Sequence, residues 1–270
     1  MRIPLNAFGI GVLLASLLYL VALTQPLSAR RQGARQKQRA DRVLAWKLYR
    51  AALKTDDMRA LKLLLRSWKL NSRNYRTAYL AGYIYHKMNR RKEAEKWYRS
   101  ALRLRRCHYK ALNNLGNIQL DLNRAREAER YYRRAIRCNR RFYASYYNLA
   151  NLENSRNRRK RAVWYYKRTL RLNPRHYRSR HNLGVIYEAL AYEARGRRKK
   201  AYLRAAYWNL KKALALKPRD ALCWYSLAGF YYRQGERKKA VRAVNAALRY
   251  SRPGTELRRR IREYRAKNKL

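Results

Sequence analysis

Short clusters of basic residues recur along the chain and could bind anions. The clusters are Arg90, Arg91, Lys92; Arg124, Arg126; Arg158, Arg159, Lys160, Arg161; Arg197, Arg198, Lys199, Lys200; and Arg237, Lys238, Lys239. Guanidinium and ammonium groups bind carboxylates and phosphates through charge-assisted hydrogen bonds. The chain of 270 residues carries 69 Lys and Arg against 15 Asp and Glu, a formal net charge of +54. We therefore expect an anion-binding ridge that attracts an acidic protein, a nucleic acid or another polyanion.

Asparagine residues form a second pattern, with a spacing of 34 residues. One row is Asn114, Asn148 and Asn182, and the other is Asn117 and Asn151. An amide side chain both donates and accepts hydrogen bonds, so such rows can bind an extended peptide backbone of any sequence. Two interpretations stay open. The rows line a peptide groove to which Arg178 adds charge, or they join neighbouring helices.

Residues suited to catalysis or metal binding are scattered. The carboxylates mostly lie beside basic residues, as Glu93 and Glu127 do, and no isolated pair suits general acid and base chemistry. No glycine-rich phosphate loop is present, and Cys107, Cys138 and Cys223 fall in no metal-ligand spacing. We expect no catalytic residue, metal, cofactor or small-molecule substrate. We interpret the three cysteines as buried or incidental.

The elements that carry these residues are expected to be helices. Ala, Leu, Arg and Lys dominate the chain after residue 40, and all four favour helix. The hydrophobic content of 47% excludes a wholly disordered polycation, and 10 Gly with 5 Pro are too few for a loop-rich all-β protein. The chain also repeats, because small residues recur 34 residues apart at Gly116, Ala150 and Gly184.

Each repeat is predicted to be a helix, a turn and a second helix. Residues that tolerate a left-handed backbone mark the turns: Asn89, Asn123, Asn157, Gly196 and Gly235. A column of tyrosines, Tyr98, Tyr132 and Tyr166, is predicted to pack between helices rather than to stack on nucleic-acid bases. The basic clusters then lie in the first turn of each second helix, where the helix dipole favours acids instead.

The pattern Trp224, Leu227, Ala228, Tyr231 resembles the tetratricopeptide repeat. The resemblance implies an all-α, right-handed solenoid of about six helical hairpins with a concave peptide-binding groove. The expected units are 41–74 (degenerate), 75–108, 109–142, 143–176, 177–220 and 221–254, within a solenoid over 41–254, and a capping helix over 255–270. The 177–220 unit is longer than the others, and we expect five extra residues in each of its helices.

The first residues form a separate segment. Residues 1–29 hold no charge between Ile3 and Ala29, and their apolar run is long enough for a short transmembrane anchor, with membrane contact over residues 5–24. A cleaved signal peptide is the alternative. Residues 30–40 are expected to be a basic juxtamembrane linker, and this charge favours a cytoplasmic repeat domain over an exported or periplasmic one.

Two functions follow from these patterns. The first is a membrane-targeted, non-enzymatic scaffold that binds a protein or peptide with an acidic face through the groove and the basic ridge. The alternative is a polyanion-binding protein whose main ligand is RNA, DNA or an anionic envelope polymer.

Overall fold

The computed structural model describes residues 27–270, and this part of the chain is an all-α helical repeat of 13 helices without strands, as the sequence predicts. The helices are α1 (Leu27–Ala52), α2 (Asp57–Leu70), α3 (Tyr75–Lys87), α4 (Arg91–Leu104), α5 (Tyr109–Asp121), α6 (Ala125–Cys138), α7 (Tyr143–Ser155), α8 (Arg159–Leu172), α9 (Tyr177–Tyr192), α10 (Gly196–Leu216), α11 (Ala221–Arg233), α12 (Arg237–Tyr250) and α13 (Glu256–Lys267). The chain divides after Arg106 into an N-terminal unit and a C-terminal unit, which begins at Cys107.

The N-terminal unit contains the hairpins α1–α2 and α3–α4. The Ser67 hydroxyl donates to the Ala45 carbonyl oxygen over 2.8 Å and so joins α2 to α1. The predicted linker over residues 30–40 is part of helix α1, and its side chains from residue 31 to residue 40 are exposed. None of the described helices is long and apolar enough to cross a membrane. Residues 1–26, and with them most of the predicted anchor, lie outside the described residues.

The predicted turns between paired helices are confirmed. Asn89, Asn123 and Asn157 have φ angles of 61°, 59° and 61°, and Gly196 and Gly235 have 54° and 77°. A left-handed residue ends the first helix and reverses the chain, because it lets the following amide reach a carbonyl of the last turn. After Asn123, for example, the amide of Arg124 donates to the Gln119 carbonyl oxygen over 2.8 Å. Each basic cluster therefore starts at or beside the beginning of a second helix.

The tyrosine column packs between the paired helices, as predicted. Tyr98, Tyr132 and Tyr166 have no exposed surface. Tyr132 lies directly over Gly116, where an added Cβ atom would come within 2.4 Å of the ring. Gly116 is therefore required by the close approach of α5 and α6, and burial of the whole ring stabilises this contact.

The hairpin α9–α10 is longer than its neighbours, but the extra residues are not divided as predicted. Helix α9 has 16 residues against 13 in α7, and α10 has 21 against 14 in α8. The increments are three and seven rather than five and five, because the left-handed turn lies at Gly196, directly at the start of α10. Residues Arg197 to Lys200 occupy the first turn of α10 and are exposed.

A disulfide bond corrects the interpretation of the cysteines. Cys107 and Cys138 are bonded, with their Cα atoms 5.3 Å apart, and only Cys223 is free among the described cysteines. Cys107 lies two residues before α5 and Cys138 ends α6, so the bond joins the start and the end of one hairpin. Cys223 is buried, and burial raises the pKa of its thiol.

The last helix covers the end of the C-terminal unit. Thr255 caps α13, accepting a hydrogen bond from the Arg258 amide, and Ile261 is fully buried. The Arg258 guanidinium donates to the carbonyl oxygens of Leu248 and Ser251 over 2.8 and 2.7 Å. These bonds satisfy carbonyl groups at the end of α12 that have no partner within that helix.

Candidate functional site

The asparagine rows meet across neighbouring repeats of the C-terminal unit. The Asn148 amide on α7 donates to the side-chain oxygens of Asn113 and Asn117 on α5, both over 3.0 Å. The Tyr132 hydroxyl donates to the same Asn117 oxygen over 2.8 Å, and the Ser145 hydroxyl donates to Asn113 over 3.0 Å. These bonds form a polar network that joins helices α5, α6 and α7.

The same arrangement recurs one repeat further on. Asn182 on α9 donates to the Asn151 oxygen over 3.2 Å and to the Tyr166 hydroxyl over 2.9 Å, while Tyr166 donates to Asn151. The buried His181 ring bonds the Asn182 oxygen over 3.1 Å and the Ser226 hydroxyl on α11 over 2.8 Å. Burial lowers the pKa of His181, which keeps the imidazole neutral and able to donate from one nitrogen and accept at the other.

Much of the hydrogen-bonding capacity of the rows is therefore used between helices. Within residues 27–270, the Asn117 and Asn151 amide nitrogens and the Asn148 side-chain oxygen have no protein partner, and these side chains are half-buried. Asn114 accepts from Asn113 over 3.4 Å, and the exposed Arg178 donates to the Tyr177 hydroxyl over 3.2 Å. Joining of helices is the role that the contacts support, and peptide binding stays a prediction for the remaining amide atoms.

The basic clusters lie where the sequence predicts, at the starts of second helices. Arg90, Arg91 and Lys92 start α4 in the N-terminal unit. The C-terminal unit carries the others, at the starts of α6, α8, α10 and α12. Acidic residues stand in the first turns of α4 (Glu93) and α6 (Glu127), whereas α8, α10 and α12 have none there. Helix α12 has Glu236 at its N-cap, whereas α8 and α10 have no acidic residue at the N-cap or in the first turn to offset the helix dipole.

A cavity of about 480 Å³ opens beside the basic cluster of α8. It is lined by Asn157, Arg158, Arg159, Lys160, Arg161, Leu190 and Glu193. The Arg159 guanidinium is held by Glu193 at the end of α9, at 2.6 Å. The side chains of Arg158 and Arg161 are 50% and 64% exposed. Cations that surround an accessible cavity at a helix start can bind a carboxylate or a phosphate.

The carboxylate of Glu153 lies behind this cluster and compensates part of its charge. Its side chain is 1% exposed, and its oxygens lie 3.8 Å from Arg158, 3.9 Å from Arg161 and 4.0 Å from Arg156. These separations exceed hydrogen-bond length. Glu153 therefore attracts the guanidinium groups without accepting a hydrogen bond from them, and Arg156 donates to Glu129 instead.

An aromatic edge along the hairpin ends was missed by the sequence analysis. Ring centroids are 4.8 Å apart for Tyr109 and Phe142, 5.4 Å for Tyr143 and His176, and 4.7 Å for His176 and Tyr147. The signal was present in the sequence as a tyrosine every 34 residues at the start of four first helices, α3, α5, α7 and α9: Tyr75, Tyr109, Tyr143 and Tyr177. The rings pack against one another across repeats and stabilise the edge.

Metal-ligating residues do not converge in the described chain, where no three His, Cys, Asp or Glu side chains are close enough to hold an ion. The titratable residues with large shifts are the Cys223 thiol and buried tyrosines such as Tyr132, whose pKa values are raised by burial. Such groups stay protonated and act in packing and hydrogen bonding.

Comparison with known proteins identifies the repeats. Residues 75–106 and 109–141 match the model of the tetratricopeptide repeat, so the chain contains tetratricopeptide repeats, as the sequence motif predicts. No curated protein matches the chain in sequence.

Solved structures with the same fold are numerous. A chain of the Cut9–Hcn1 hetero-tetramer of the APC/C is 17% identical with a TM-score of 0.63 over 77% of this chain, which spans only 39% of that chain. PilF of Pseudomonas aeruginosa is 15% identical with a TM-score of 0.65, covering 86% of this chain and 99% of PilF. YrrB, a tetratricopeptide protein with an unusual peptide-binding site, is 20% identical with a TM-score of 0.55. The match covers 74% of this chain and 97% of YrrB. These similarities establish the shared helical-repeat fold.

Proposed function

We propose that this protein is a non-enzymatic scaffold whose C-terminal unit binds the acidic face of a partner protein at the basic cluster of α8. The observation that carries the proposal is the 480 Å³ cavity surrounded by Arg158, Arg159, Lys160 and Arg161. Tetratricopeptide repeats support a scaffold, since YrrB carries a peptide-binding site on the same fold.

The local charge supports an acidic ligand. The chain holds no Asp or Glu from Asn154 to Tyr187, so Glu193 and the buried Glu153 are the acids that compensate the cluster. Glu193 engages Arg159, whereas Arg158 and Arg161 have donors that no carboxylate approaches closer than 3.8 Å. Because both guanidinium groups are at least half exposed, an ion pair with a partner carboxylate contributes about 0.2–1 kcal/mol at each of them.

The test compares a charge reversal with a neutral change in the asparagine rows. The probe is a fluorescein-labelled peptide of ten glutamates, and binding is followed by fluorescence anisotropy at about 0.15 M salt. Arg158→Glu combined with Lys160→Glu is expected to weaken binding at least about tenfold. Arg171→Glu with Lys167→Glu, on the same helix but away from the cavity, is the control for net charge. Equal loss in both double variants would reject the site.

Asn148→Ala separates the asparagine rows from the basic cluster. If the free side-chain oxygen of Asn148, or the Asn117 amide that Asn148 holds, contacts a partner, this change weakens binding of a neutral peptide that is captured with the protein. If the rows only join helices, Asn148→Ala lowers stability and leaves affinity unchanged. Denaturation by urea measures the stability of the variant, and fluorescence anisotropy measures its affinity for the peptide.

Binding of a polyanion is the second candidate, and the net charge of +54 favours it. A single-stranded RNA of about 20 nucleotides replaces the peptide in the same assay. Nucleic-acid affinity that falls steeply with salt and weakens equally with every basic cluster removed would indicate non-specific phosphate binding. Loss confined to the α8 double variant would favour a defined anion site instead.

We further propose that residues 1–29 target the protein to a membrane, with contact over residues 5–24. For the compartment, the Cys107–Cys138 bond supports the exported alternative over the cytoplasmic side, since structural disulfides persist in oxidising compartments. The test blocks free thiols in intact cells, reduces the protein and then attaches a maleimide polymer. Labelling of two cysteines that appears only after reduction supports export, and the absence of this reduction-dependent labelling rejects it.

A further inference from the structure

An apolar cleft opens at the last junction of the C-terminal unit, between α10, α11 and α12. Its volume is about 510 Å³, and apolar side chains form its floor and walls. They include Leu214 and Ala215 of α10, Trp224 and Leu227 of α11, and Ala243 of α12. The volume falls in the range of about 300–1,000 Å³ that is typical of ligand sites. The cleft shares no residue with the basic cluster of α8 or with the asparagine rows.

The cleft lies where one column of the repeat carries a small residue, whereas α6 and α8 carry a large one. The column is the position four residues before the buried small residue of a second helix. This position is Tyr131 in α6 and Tyr165 in α8, whereas it is Ala243 in α12. Both tyrosines are half-buried, and Tyr165 packs against a buried cluster that includes Tyr132 and Leu149. Replacement of the ring by a methyl group leaves that space open at the last junction.

The wall of the cleft is held in place. The Trp224 indole N–H donates to the Pro218 carbonyl oxygen over 2.8 Å, which fixes the ring at the side of the cleft. Leu227 and Ala243 are 2% and 1% exposed, so the floor is part of the packed core. A preformed apolar surface of this kind binds a ligand without a large ordering cost.

Cations stand on both sides of the opening. Lys211 on α10 is exposed at one side, and Lys239 and Arg242 on α12 are exposed at the other. Lys239 forms an ion pair with Glu236 and lies 5.6 Å from the centroid of the Tyr231 ring. An apolar floor between two cationic sides is complementary to a ligand that is apolar in its middle and acidic along both edges.

We propose that this cleft binds a short amphipathic segment of an acidic protein partner. Its apolar side chains enter the cleft, and its carboxylates contact Lys211 on one side and Arg242 on the other. This inference rests on the proposed function and adds apolar contacts between the protein and its acidic partner. A lipid fits less well, because one headgroup places its charge at a single end of the acyl chain, whereas the cations here flank the opening.

The test uses a fluorescein-labelled amphipathic peptide of alternating Glu-Leu-Leu-Glu blocks, with a control peptide in which serine replaces every leucine. Ala215→Trp blocks the cleft from an exposed position, and Arg242→Glu reverses one side. Each is expected to weaken binding of the leucine peptide about tenfold. The matched controls are Ala201→Trp and Arg249→Glu, at exposed positions on the same two helices outside the cleft and outside the basic clusters, and we expect their affinities to match the wild type.

The outcomes separate this cleft from the α8 site. Loss of binding in the Arg158→Glu and Lys160→Glu double variant, with no change in Ala215→Trp, overturns the cleft and leaves the proposed function standing. No binding of the leucine peptide to the wild type, or equal binding of the serine peptide, also overturns the cleft. Phosphatidylglycerol vesicles provide the lipid arm. Vesicle binding that Ala215→Trp abolishes, without peptide binding, would assign the cleft to lipid and overturn the proposal.

Discussion

Two junctions of the C-terminal unit use the same helical arrangement and differ in what fills them. At the middle junction, where α5 and α6 meet α7, Tyr132 and the amides of Asn117 and Asn148 close the space with rings and hydrogen bonds. At the last junction, where α10 meets α11 and α12, Ala243 leaves an apolar cleft. In α8 the column position of Ala243 is held by the half-buried Tyr165, so residue size in that column differs between the closed middle junction and the open cleft.

The polar contacts of the two junctions differ as well. The middle junction is held by neutral amides and hydroxyls. Helices α9 and α11 are joined by the Glu188–Arg233 ion pair, with bonds of 2.8 and 2.7 Å, and by the His181–Ser226 bond. Titratable groups thus contribute to the contact between α9 and α11. The stability of this contact is expected to depend on pH and salt more than the stability of the middle junction does.

The largest effect is expected from the disulfide, which belongs to the middle hairpin. Cys107→Ser with Cys138→Ser removes a cross-link between residues 31 positions apart and is expected to lower the free energy of unfolding by about 3–4 kcal/mol. Urea denaturation measures the change. Dithiothreitol should bring the wild type to the same midpoint and leave the double variant unchanged. If dithiothreitol did not change the urea midpoint of the wild type, the disulfide bond would not contribute to stability.

Gly116→Ala tests how tightly the middle hairpin is packed. The added Cβ atom would lie 2.4 Å from the Tyr132 ring, so the ring or a helix must shift, at a cost of about 2–3 kcal/mol. Thermal unfolding monitored by circular dichroism reports the loss. Gly33→Ala is the control, because no atom lies within 4 Å of that site in α1 and alanine favours helix. Equal stability of the two variants would refute close packing at Gly116.

Arg233→Ala tests the ion pair that joins α9 to α11. The Glu188 side chain is 7% exposed and would lose both of its bonds from the guanidinium, whereas Arg233 itself is 38% exposed. We expect destabilisation of about 2 kcal/mol, below the value for a fully buried pair. Arg259→Ala removes an arginine that is 69% exposed from its pair with Glu256 and should change stability by less than about 0.5 kcal/mol.

Tyr132→Phe removes one hydrogen bond from the middle junction and keeps the ring. Asn117 would retain the bond from Asn148, so the expected loss is about 1 kcal/mol. Tyr131→Phe, on the half-buried neighbour, is the control. Chemical denaturation of both variants under the same conditions gives the difference in their free energies of unfolding. Equal values would show that the Tyr132 hydroxyl does not stabilise the junction.

Acidification is expected to have the smallest effect and to act on the histidine region. Burial lowers the pKa of His181 below its ordinary value, so the unfolded chain gains a proton near pH 6.5 that the folded state does not bind. Stability contributed by neutral His181 is therefore full above this pH and declines as pH falls below it. Denaturation midpoints at about pH 7.5 and 5.5 measure the decline. His181→Gln should reduce it, and an unchanged pH dependence would contradict this role.

The repeat architecture is largely predictable from the sequence because each position recurs. Asn89, Asn123 and Asn157 mark the turns through their backbone preference, and Tyr132 with Gly116 marks a packed contact through complementary sizes. Such properties belong to single residues and their periodic spacing. The division of the ten extra residues between α9 and α10 was wrong, since it depends on which of several residues becomes the left-handed one.

Pairing between side chains was harder to predict than placement on a face. The repeat spacing predicts which face of its helix Asn148 lies on. It does not predict whether the Asn148 amide binds a ligand or, as in the structure, Asn117. Cys107 and Cys138 fit no short motif. Their proximity follows from a hairpin returning the chain to its start, a signal that the repeat boundaries contained. The small Ala243 in a column with Tyr131 and Tyr165 was likewise readable, but its meaning required the neighbouring helices.

The bond between Cys107 and Cys138 also determines how the chain yields to mechanical pulling. Tension applied to its two ends passes through the sulfur atoms and bypasses the intervening hairpin, which therefore bears no load while the bond is intact. The sequence separation of 31 corresponds to roughly 100–110 Å of extended chain. In single-molecule stretching the fully extended length would be shorter by this amount, and reductant would release it as one additional step.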